Sequence, residues 1–348
     1  MNHKETNTRS SKMLDTKHSM KRRTPWHDYH RKGTYMLTLV VQERMPLFGK
    51  LKGNPNLSTE PSNKPTVEYS NLGKCILHEE MQKIHLFYPM VEVWKTCMMP
   101  DHIHIIVRVN EDMPMDKHLG KVIAGFKAGC NKAYWRLFNI TETPRKGLFE
   151  AGYNDKILIH DNQLDNWKAY LDDNPRRLFI KHNNPLFFTV LHNMEVAGRN
   201  CQIIGNRFLL DIPDKMAVIV HRSYTDEEYA RHREEWLACG ERGGVLVSAA
   251  IAPKERVVLR EAMNRGYRII LLRENGFPQL YKPSGESFNA CAAGILLQVS
   301  PWPFHMEKRT ITRAQCLELN TMAEQLSTPQ QPPTPLNSSH LPSSHPPQ

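Results

Sequence analysis

The segment Met99-Pro100-Asp101-His102-Ile103-His104-Ile105-Ile106-Val107-Arg108-Val109 decides the fold of the first half of this chain. Its β-branched residues predict a strand over 102–109, and the proline and aspartate before it predict a turn. Side chains two apart on a strand point to the same face, so the two imidazoles project together. Neighbouring neutral imidazoles can bind a divalent metal once a third ligand joins them.

The flanking segments predict an antiparallel sheet covered by helices. Further strands are predicted over 35–41, 91–98 and 153–159, and helices over about 67–86, 116–138 and from about 161 onward. This order of strands and helices indicates an α+β sandwich. Residues 50–65, which contain three prolines, predict a loop or insertion.

The helix predicted from about residue 161 carries a second pair of polar residues. Tyr170 and Asn174 are four apart, which places them on one helix face, one turn apart. Pro175 disfavours helical backbone at the preceding residue, so Asn174 is expected to end the helix. An apolar stripe on the same helix is formed by Leu164, Trp167 and Leu171.

A tyrosine beside a divalent metal suits phosphodiester chemistry. A metal on a non-bridging oxygen neutralises developing charge and orients the phosphate for attack. The tyrosine then forms a covalent phosphotyrosyl intermediate, which conserves the bond energy for rejoining. In a chain of this length with 17 histidines, about one His-x-His motif and about one Tyr-x-x-x-Asn motif are expected by chance. The prediction of a metal-dependent site therefore depends on the two motifs occurring together.

Four ordered segments together resemble the single-tyrosine HUH transposases, in particular the insertion-sequence 200-like and REP-associated branch. The resemblance covers about residues 24–185, and the matching segments are 32–41 with 46–49, 99–107, 152–157 and 170–176. It implies an antiparallel-sheet HUH (ferredoxin-like) domain. In that family's pattern His102, His104 and Asn174 would bind Mg²⁺ or Mn²⁺, and Tyr170 would be the nucleophile.

The resemblance also implies an activity and partners. The family cleaves and rejoins single-stranded DNA, often at a hairpin, through a 5′-phosphotyrosine, and usually works as a homodimer. Contacts to DNA phosphates are predicted for Lys121, Lys127, Arg176 and Arg177, and base stacking for Trp26 and Tyr29. Two rival tyrosines are Tyr134, which is expected to pack, and Tyr153, which is expected near the site.

Three alternatives to a transposase stay open. A replication- or relaxation-type HUH nuclease shares the chemistry but often carries paired tyrosines. A non-catalytic DNA-binding repressor would need none of the four site residues. A metal-dependent phosphohydrolase would form no covalent adduct and would not need Tyr170.

Composition predicts a cytoplasmic DNA-binding protein. Residues 1–185 contain 29 Lys and Arg against 20 Asp and Glu, whereas residues 186–348 contain 17 against 16, so the basic charge lies in the first half. Seven cysteines without a Cys-x-x-Cys pair predict free thiols in a reducing compartment. No apolar run predicts a membrane span or a secretory signal.

The chain is predicted to contain four regions. A disordered basic arm (1–25) precedes the HUH domain (26–188), and a smaller α/β Rossmann-like accessory domain (200–325) precedes a Pro- and Ser-rich disordered tail (327–348). In the accessory domain, strands over 216–220, 245–248, 268–272 and 295–299 alternate with helices, which predicts a parallel, doubly wound sheet. The sequence has no glycine-rich nucleotide fingerprint there, and the region is faintly similar to the Rossmann-like domain of DNA-processing proteins that load single strands.

Overall fold

A computed structural model describes residues 27–53, 64–141, 147–160, 162–307 and 309–328 of the chain. The described residues form two compact units that divide between Asn183 and Asn184. The predicted basic arm, Trp26 and nearly all of the predicted tail lie outside the described residues. None of the described helices is both long and apolar enough to cross a membrane.

The first unit is built on an antiparallel sheet, which confirms the predicted α+β class. Its strands are β1 (Gly33–Val40), β2 (Gly49–Lys52), β3 (Thr66–Tyr69), β4 (Val91–Met99), β5 (His102–Val109) and β6 (Asn154–Ile157). Four of them form one sheet in the order β4-β5-β1-β6, with every neighbouring pair antiparallel. The quoted segment therefore supplies a central strand, as its apolar run predicts.

Helices cover both faces of this sheet. They are α1 (Asn71–Cys75), a π-helical turn (Ile76–Glu80), α2 (Met81–Phe87), α3 (Leu119–Leu137) and α4 (Gln163–Asn183). Ser70 begins α1 because its hydroxyl accepts a hydrogen bond from Gly73 N at 3.1 Å. The π-helical turn and helices α1, α2 and α3 pack on one face with the large apolar core. The longer α4 covers the other face, and we call this the α4 face.

Strand alternation assigns each side chain of β5 to one of these faces. Ile103, Ile105 and Val107 point into the large core, and Ile106 packs on the α4 face with Trp167 of α4. His102 and His104 share the parity of Ile106, so both imidazoles lie on the α4 face. Burying Trp167 and its neighbour Leu171 there contributes about 1.5–3 kcal/mol per side chain, and this fixes α4 over the imidazoles.

Two predictions for this unit are wrong in detail. The residues around the predicted 50–65 loop include strands β2 and β3, which pair as an antiparallel hairpin, and the residues between them from 54 to 63 are not described. The helix predicted to end at Asn174 continues to Asn183, with Pro175 inside it. Packing of Trp167, Leu171 and Ile180 outweighs the local effect of proline.

The second unit contains a six-stranded sheet. Its strands are β7 (Leu191–Val196), β8 (Arg199–Gly205), β9 (Lys215–Ala217), β10 (Val245–Ser248), β11 (Arg268–Leu272) and β12 (Leu296–Ser300). The order is β7-β8-β12-β11-β10-β9, in which β9 to β12 are parallel and β7 and β8 are antiparallel. The predicted parallel strands are confirmed, whereas the β7–β8 hairpin was not predicted.

The helices of the second unit correct the prediction of a doubly wound sheet. They are α5 (Asp226–Glu241), α6 (Pro253–Asn264), α7 (Gly285–Ala292) and α8 (Arg313–Ser327). A doubly wound sheet reverses its strand order at a switch point, but β9 to β12 follow one another in a single direction. The connecting helices α5, α6 and α7 therefore pack on one face, and α8 packs on the other.

Candidate functional site

The predicted histidine pair lies on the α4 face at the start of β5. The ring centroids of His102 and His104 are 4.8 Å apart, and the ring planes are nearly perpendicular at 86°. Across the sheet, β1 places Val40 opposite His102 and Thr38 opposite His104. The pair therefore stands at the junction of two central strands, where backbone hydrogen bonding fixes its position.

His102 is oriented by an acidic neighbour. Its Nδ1 lies 2.6 Å from Asp101 Oδ1, and a carboxylate only accepts, so Nδ1 is the protonated nitrogen and Nε2 is left for another partner. The other carboxylate oxygen, Asp101 Oδ2, accepts from Arg44 Nη1 at 3.2 Å. Burial would raise the pKa of Asp101, but the hydrogen bond from His102 and the contact with Arg44 outweigh it and lower the pKa to about 2.

His104 is held by Thr38 and is neutral at physiological pH. Thr38 Oγ1 and His104 Nδ1 share a hydrogen bond of 2.8 Å, so Nε2 is again the outward nitrogen. Burial is the main cause that lowers the pKa of His104 to about 3, followed by the charges of His102, Lys156 and Arg44. A neutral imidazole with its second nitrogen fixed is the form that binds metals in proteins.

Tyr170 approaches the pair from α4. Its ring centroid lies 5.8 Å from that of His104, and 40% of the residue is exposed to solvent. Burial of the remainder raises the pKa of Tyr170, and the positive charge of Arg177, two turns further along α4, opposes this rise. The phenol ring thus packs against the imidazole of His104, and its exposed part is reachable by a large substrate.

Asn174 occupies the next turn of α4 and is only 6% exposed. Its side chain contacts Cys97, and β4 places Cys97 directly opposite His104. Burial raises the pKa of the Cys97 thiol to about 11, and the Asn174 amide beside it opposes that rise. Asn174 Nδ2 is buried and makes no hydrogen bond of normal length and angle to a described residue, and the Cys97 thiol beside it is only a weak acceptor. Such an unpaired amide costs about 1–3 kcal/mol, and a bound water, ligand or ion at this position would remove that cost.

A divalent metal at these residues stays a prediction, and it depends on one condition. No group of three or more His, Cys, Asp or Glu side chains within the described part of the chain could hold a metal. The predicted set has two imidazoles, so it depends on the Asn174 amide as its third member. A half-turn of that amide exchanges its two ends, so the unpartnered position can be taken by the oxygen, the atom that binds metals.

The four cations predicted to contact DNA are engaged within the chain. Lys121 Nζ donates to Asp116 O at 2.5 Å, and Lys127 Nζ donates to the carbonyls of the 150–152 loop. Both lie on α3, which packs against the sheet face opposite Tyr170. Arg176 and Arg177 lie on α4 and both pair with Asp173, at 2.5 and 3.9 Å.

The other tyrosines that the sequence raised point away from the histidines. Tyr153 and Tyr134 pack against the large core, on the opposite face of the sheet. Tyr29, a predicted base-stacking residue, is instead buried in that core and donates to Asp155 Oδ2 at 2.6 Å. The prediction for Tyr29 is therefore wrong, because its ring is buried in the core and leaves no face on which a base could stack.

Several residues at the site were missed by sequence reasoning. Thr38, Asp101 and Arg44 orient the histidines, and Lys156 of β6 lies on the same face. Asp101 precedes His102 directly and could have been recognised as its hydrogen-bond partner. The other three are brought in by strand pairing and by a loop, which leave no local pattern in the sequence.

No protein-family model and no curated protein match the chain. Among solved structures, a REP-associated tyrosine transposase bound to a REP hairpin is similar at 14% identity and a TM-score of 0.29, over 44% of this chain and 72% of that one.

Two further solved structures are similar at the same level. DNA processing protein A from Helicobacter pylori, studied for its single-stranded DNA binding mode, is similar at 19% identity and a TM-score of 0.31, over 40% of this chain and 66% of that one. A candidate transposase from Deinococcus radiodurans is similar at 12% identity and 0.26, over 43% and 95%. Similarities this low establish neither the fold nor the activity of this chain.

Proposed function

We propose that the first unit is a metal-dependent DNA strand transferase, which cleaves and rejoins single-stranded DNA through a covalent bond to Tyr170. One observation carries this proposal: the fold brings Tyr170 and Asn174 of α4 to the same face and end of the sheet as His102 and His104. These four residues are separated by up to 72 positions, and structural packing alone would not require all four types together. This is also the activity that the resemblance of the ordered segments implies.

The reaction assigned to Tyr170 is a transfer of a phosphoryl group. The phenolic oxygen attacks the phosphorus of a phosphodiester and loses its proton. A bond from that oxygen to phosphorus forms while the bond from phosphorus to the 3′ oxygen breaks. The 3′ oxygen takes up a proton and leaves as a hydroxyl, and the reverse sequence rejoins a strand without an external energy source.

The surrounding residues adapt Tyr170 to this role. The raised pKa means that the phenol is protonated at neutral pH, so it needs positive charge nearby to stabilise the forming phenolate. Arg177 supplies such charge on the same helix. A divalent metal held by His102, His104 and Asn174 would supply charge neutralisation at the phosphate.

Four finer properties stay predictions from the sequence. They are the use of Mg²⁺ or Mn²⁺, a hairpin in the DNA substrate, a homodimer and a cytoplasmic location. The alternatives of a relaxation-type nuclease, a DNA-binding repressor and a phosphohydrolase differ from the proposal in whether an adduct forms and on which DNA.

A covalent-adduct assay tests the proposal. The protein is incubated with Mn²⁺ or Mg²⁺ and end-labelled single-stranded DNA from the flanks of its gene, and the products are separated on denaturing gels. We expect an adduct on the 5′-phosphate side that is abolished by Tyr170→Phe, by His102→Ala and by chelator. Tyr153→Phe, which changes a tyrosine on the opposite face, is the matched control and should retain the adduct.

Two results would overturn the proposal. Cleavage that survives Tyr170→Phe without an adduct would indicate a phosphohydrolase. Tight DNA binding without cleavage or adduct on all flanking strands would indicate a DNA-binding repressor.

A further inference from the structure

We propose that Arg44 and Lys156 form a phosphate-binding pair that holds the DNA backbone on either side of the histidines. This inference rests on the proposed function, because it assigns the groups that grip the single-stranded substrate. The ligand is a phosphodiester backbone, and its recognition needs charge and position but no base sequence.

Lys156 flanks the site on the side of the sheet edge. On β6, Asn154 lies opposite Thr38 and Lys156 lies opposite Met36, so Lys156 shares the α4 face. His104 lies two strands away and one same-face position along, which places the two Cα atoms about 12 Å apart from the usual strand spacings. Lys156 is exposed, and it forms no ion pair with a carboxylate within the described ranges.

Arg44 flanks the site on the other side, beyond His102. Its guanidinium reaches Asp101, and 59% of its side chain is exposed to solvent. The backbone of Glu43 and Arg44 is left-handed at both residues, with φ values of 55° and 56°. Each such residue costs on the order of 1 kcal/mol, so the chain maintains a strained turn that places this arginine beside the site.

Three other cations near α4 are less suited to this role. Arg176 is held by both oxygens of Asp173 at 2.5 and 3.0 Å, and Arg177 lies beside the same carboxylate and is largely buried. Lys95 is paired with Asp172 at 2.6 Å. Arg44 could contact a phosphate without leaving Asp101, because its exposed guanidinium has further donors that Asp101 does not use.

Salt dependence of DNA binding tests this pair without requiring catalysis. Binding of a fluorescent oligothymidylate is measured in chelator across a fourfold range of salt for the parent, Lys156→Gln, Arg44→Gln and the double variant. Each lost phosphate contact should reduce the slope of log K against log salt by about 0.7 for a single strand. From the lowest to the highest salt concentration, the affinity of the parent divided by that of a single variant should therefore fall about 2.6-fold.

Controls separate the pair from general effects of charge. Lys74→Gln removes the same charge from α1, on the opposite face of the sheet, and should leave the slope unchanged. Lys156→Arg and Arg44→Lys keep the charges and should keep the slopes, while thermal melting confirms that each variant is folded.

Slopes for Lys156→Gln and Arg44→Gln that equal those of the parent would overturn the inference, and so would a parent protein that does not bind oligothymidylate. If the slopes change as expected but no adduct forms in the separate cleavage assay, the phosphate-binding pair stands and the strand-transfer mechanism fails. If an adduct forms but the slopes are unchanged, the strand-transfer mechanism stands and the phosphate-binding pair fails.

Discussion

Asn174→Ala should separate metal binding from stability, because the parent side chain is buried with an unpaired amide. Removing that amide relieves about 1–3 kcal/mol of unsatisfied desolvation. Alanine adds about 0.6 kcal/mol of helix propensity, and the small cavity left behind costs about 1 kcal/mol. The metal-free variant should therefore be more stable than the parent by about 0.5–2.5 kcal/mol, which is unusual for a buried position.

The same variant should lose the response to metal. At a metal concentration of about 100 times Kd, binding to the folded state stabilises a protein by about 2.7 kcal/mol. For a unit of this size 1 kcal/mol shifts Tm by about 2–4 °C, so the parent should gain several degrees with Mn²⁺. Without its third ligand the variant should gain little, and it should form no adduct.

Calorimetric melts with Mn²⁺ and with chelator, together with the adduct assay, measure both effects. Asn166→Ala changes an exposed asparagine on the same helix and should keep the metal-dependent shift and the adduct. The reasoning fails if Asn174→Ala lowers the metal-free stability by more than about 1 kcal/mol and still melts several degrees higher with Mn²⁺. Asn174 would then be a structural residue rather than a ligand.

Three other predictions follow from contacts in the structure. Thr38→Val removes the hydrogen bond to His104 and should raise the Mn²⁺ concentration needed for adduct formation about 10- to 100-fold; an unchanged metal titration would contradict this. Gly73→Ala should lower the free energy of unfolding by at least about 2 kcal/mol, because the added Cβ would overlap a backbone carbonyl. Gly125→Ala, in the open part of α3, should raise it by about 0.5–1 kcal/mol, and denaturant melts measure both changes. A thiol reagent should label Cys316 rapidly in the native protein and the other six cysteines, all buried, only after unfolding; rapid native labelling of several thiols would refute the core as described.

The histidine face of the sheet could be predicted from the sequence because a strand has a period of two. Once His102–Val109 is a buried strand, His102 and His104 must share a face, and the structure places them there with rings 4.8 Å apart. The helical spacing of Tyr170 and Asn174 works in the same way, with a period of 3.6. Local periodicity thus fixed both halves of the candidate site, while the resemblance supplied the reason to expect them together.

Other features depend on contacts that are distant in sequence. Pro175 has a local preference against helix at Asn174, but the packing of Trp167 and Leu171 on the sheet keeps α4 continuous, and this is a tertiary effect. Lys156 lies in a segment that predicts a strand but not the partner of that strand. Its place beside the histidines follows only from the pairing of β6 with β1, which the sequence does not specify.

The second unit shows how a site suggested by fold alone can already be filled. Helix N-termini at the ends of parallel strands often bind phosphate through free backbone N–H groups. At the start of α6, however, the buried carboxylate of Glu255 accepts from Val220 N, Ile251 N and Ala252 N at 2.9, 2.7 and 3.1 Å. These donors lie in the segments that follow β9 and β10, and the side chain supplies the negative charge that the helix end favours. Glu255 therefore acts here as an internal anion that joins two strand ends, and its charge opposes the binding of a nucleotide phosphate at this helix end.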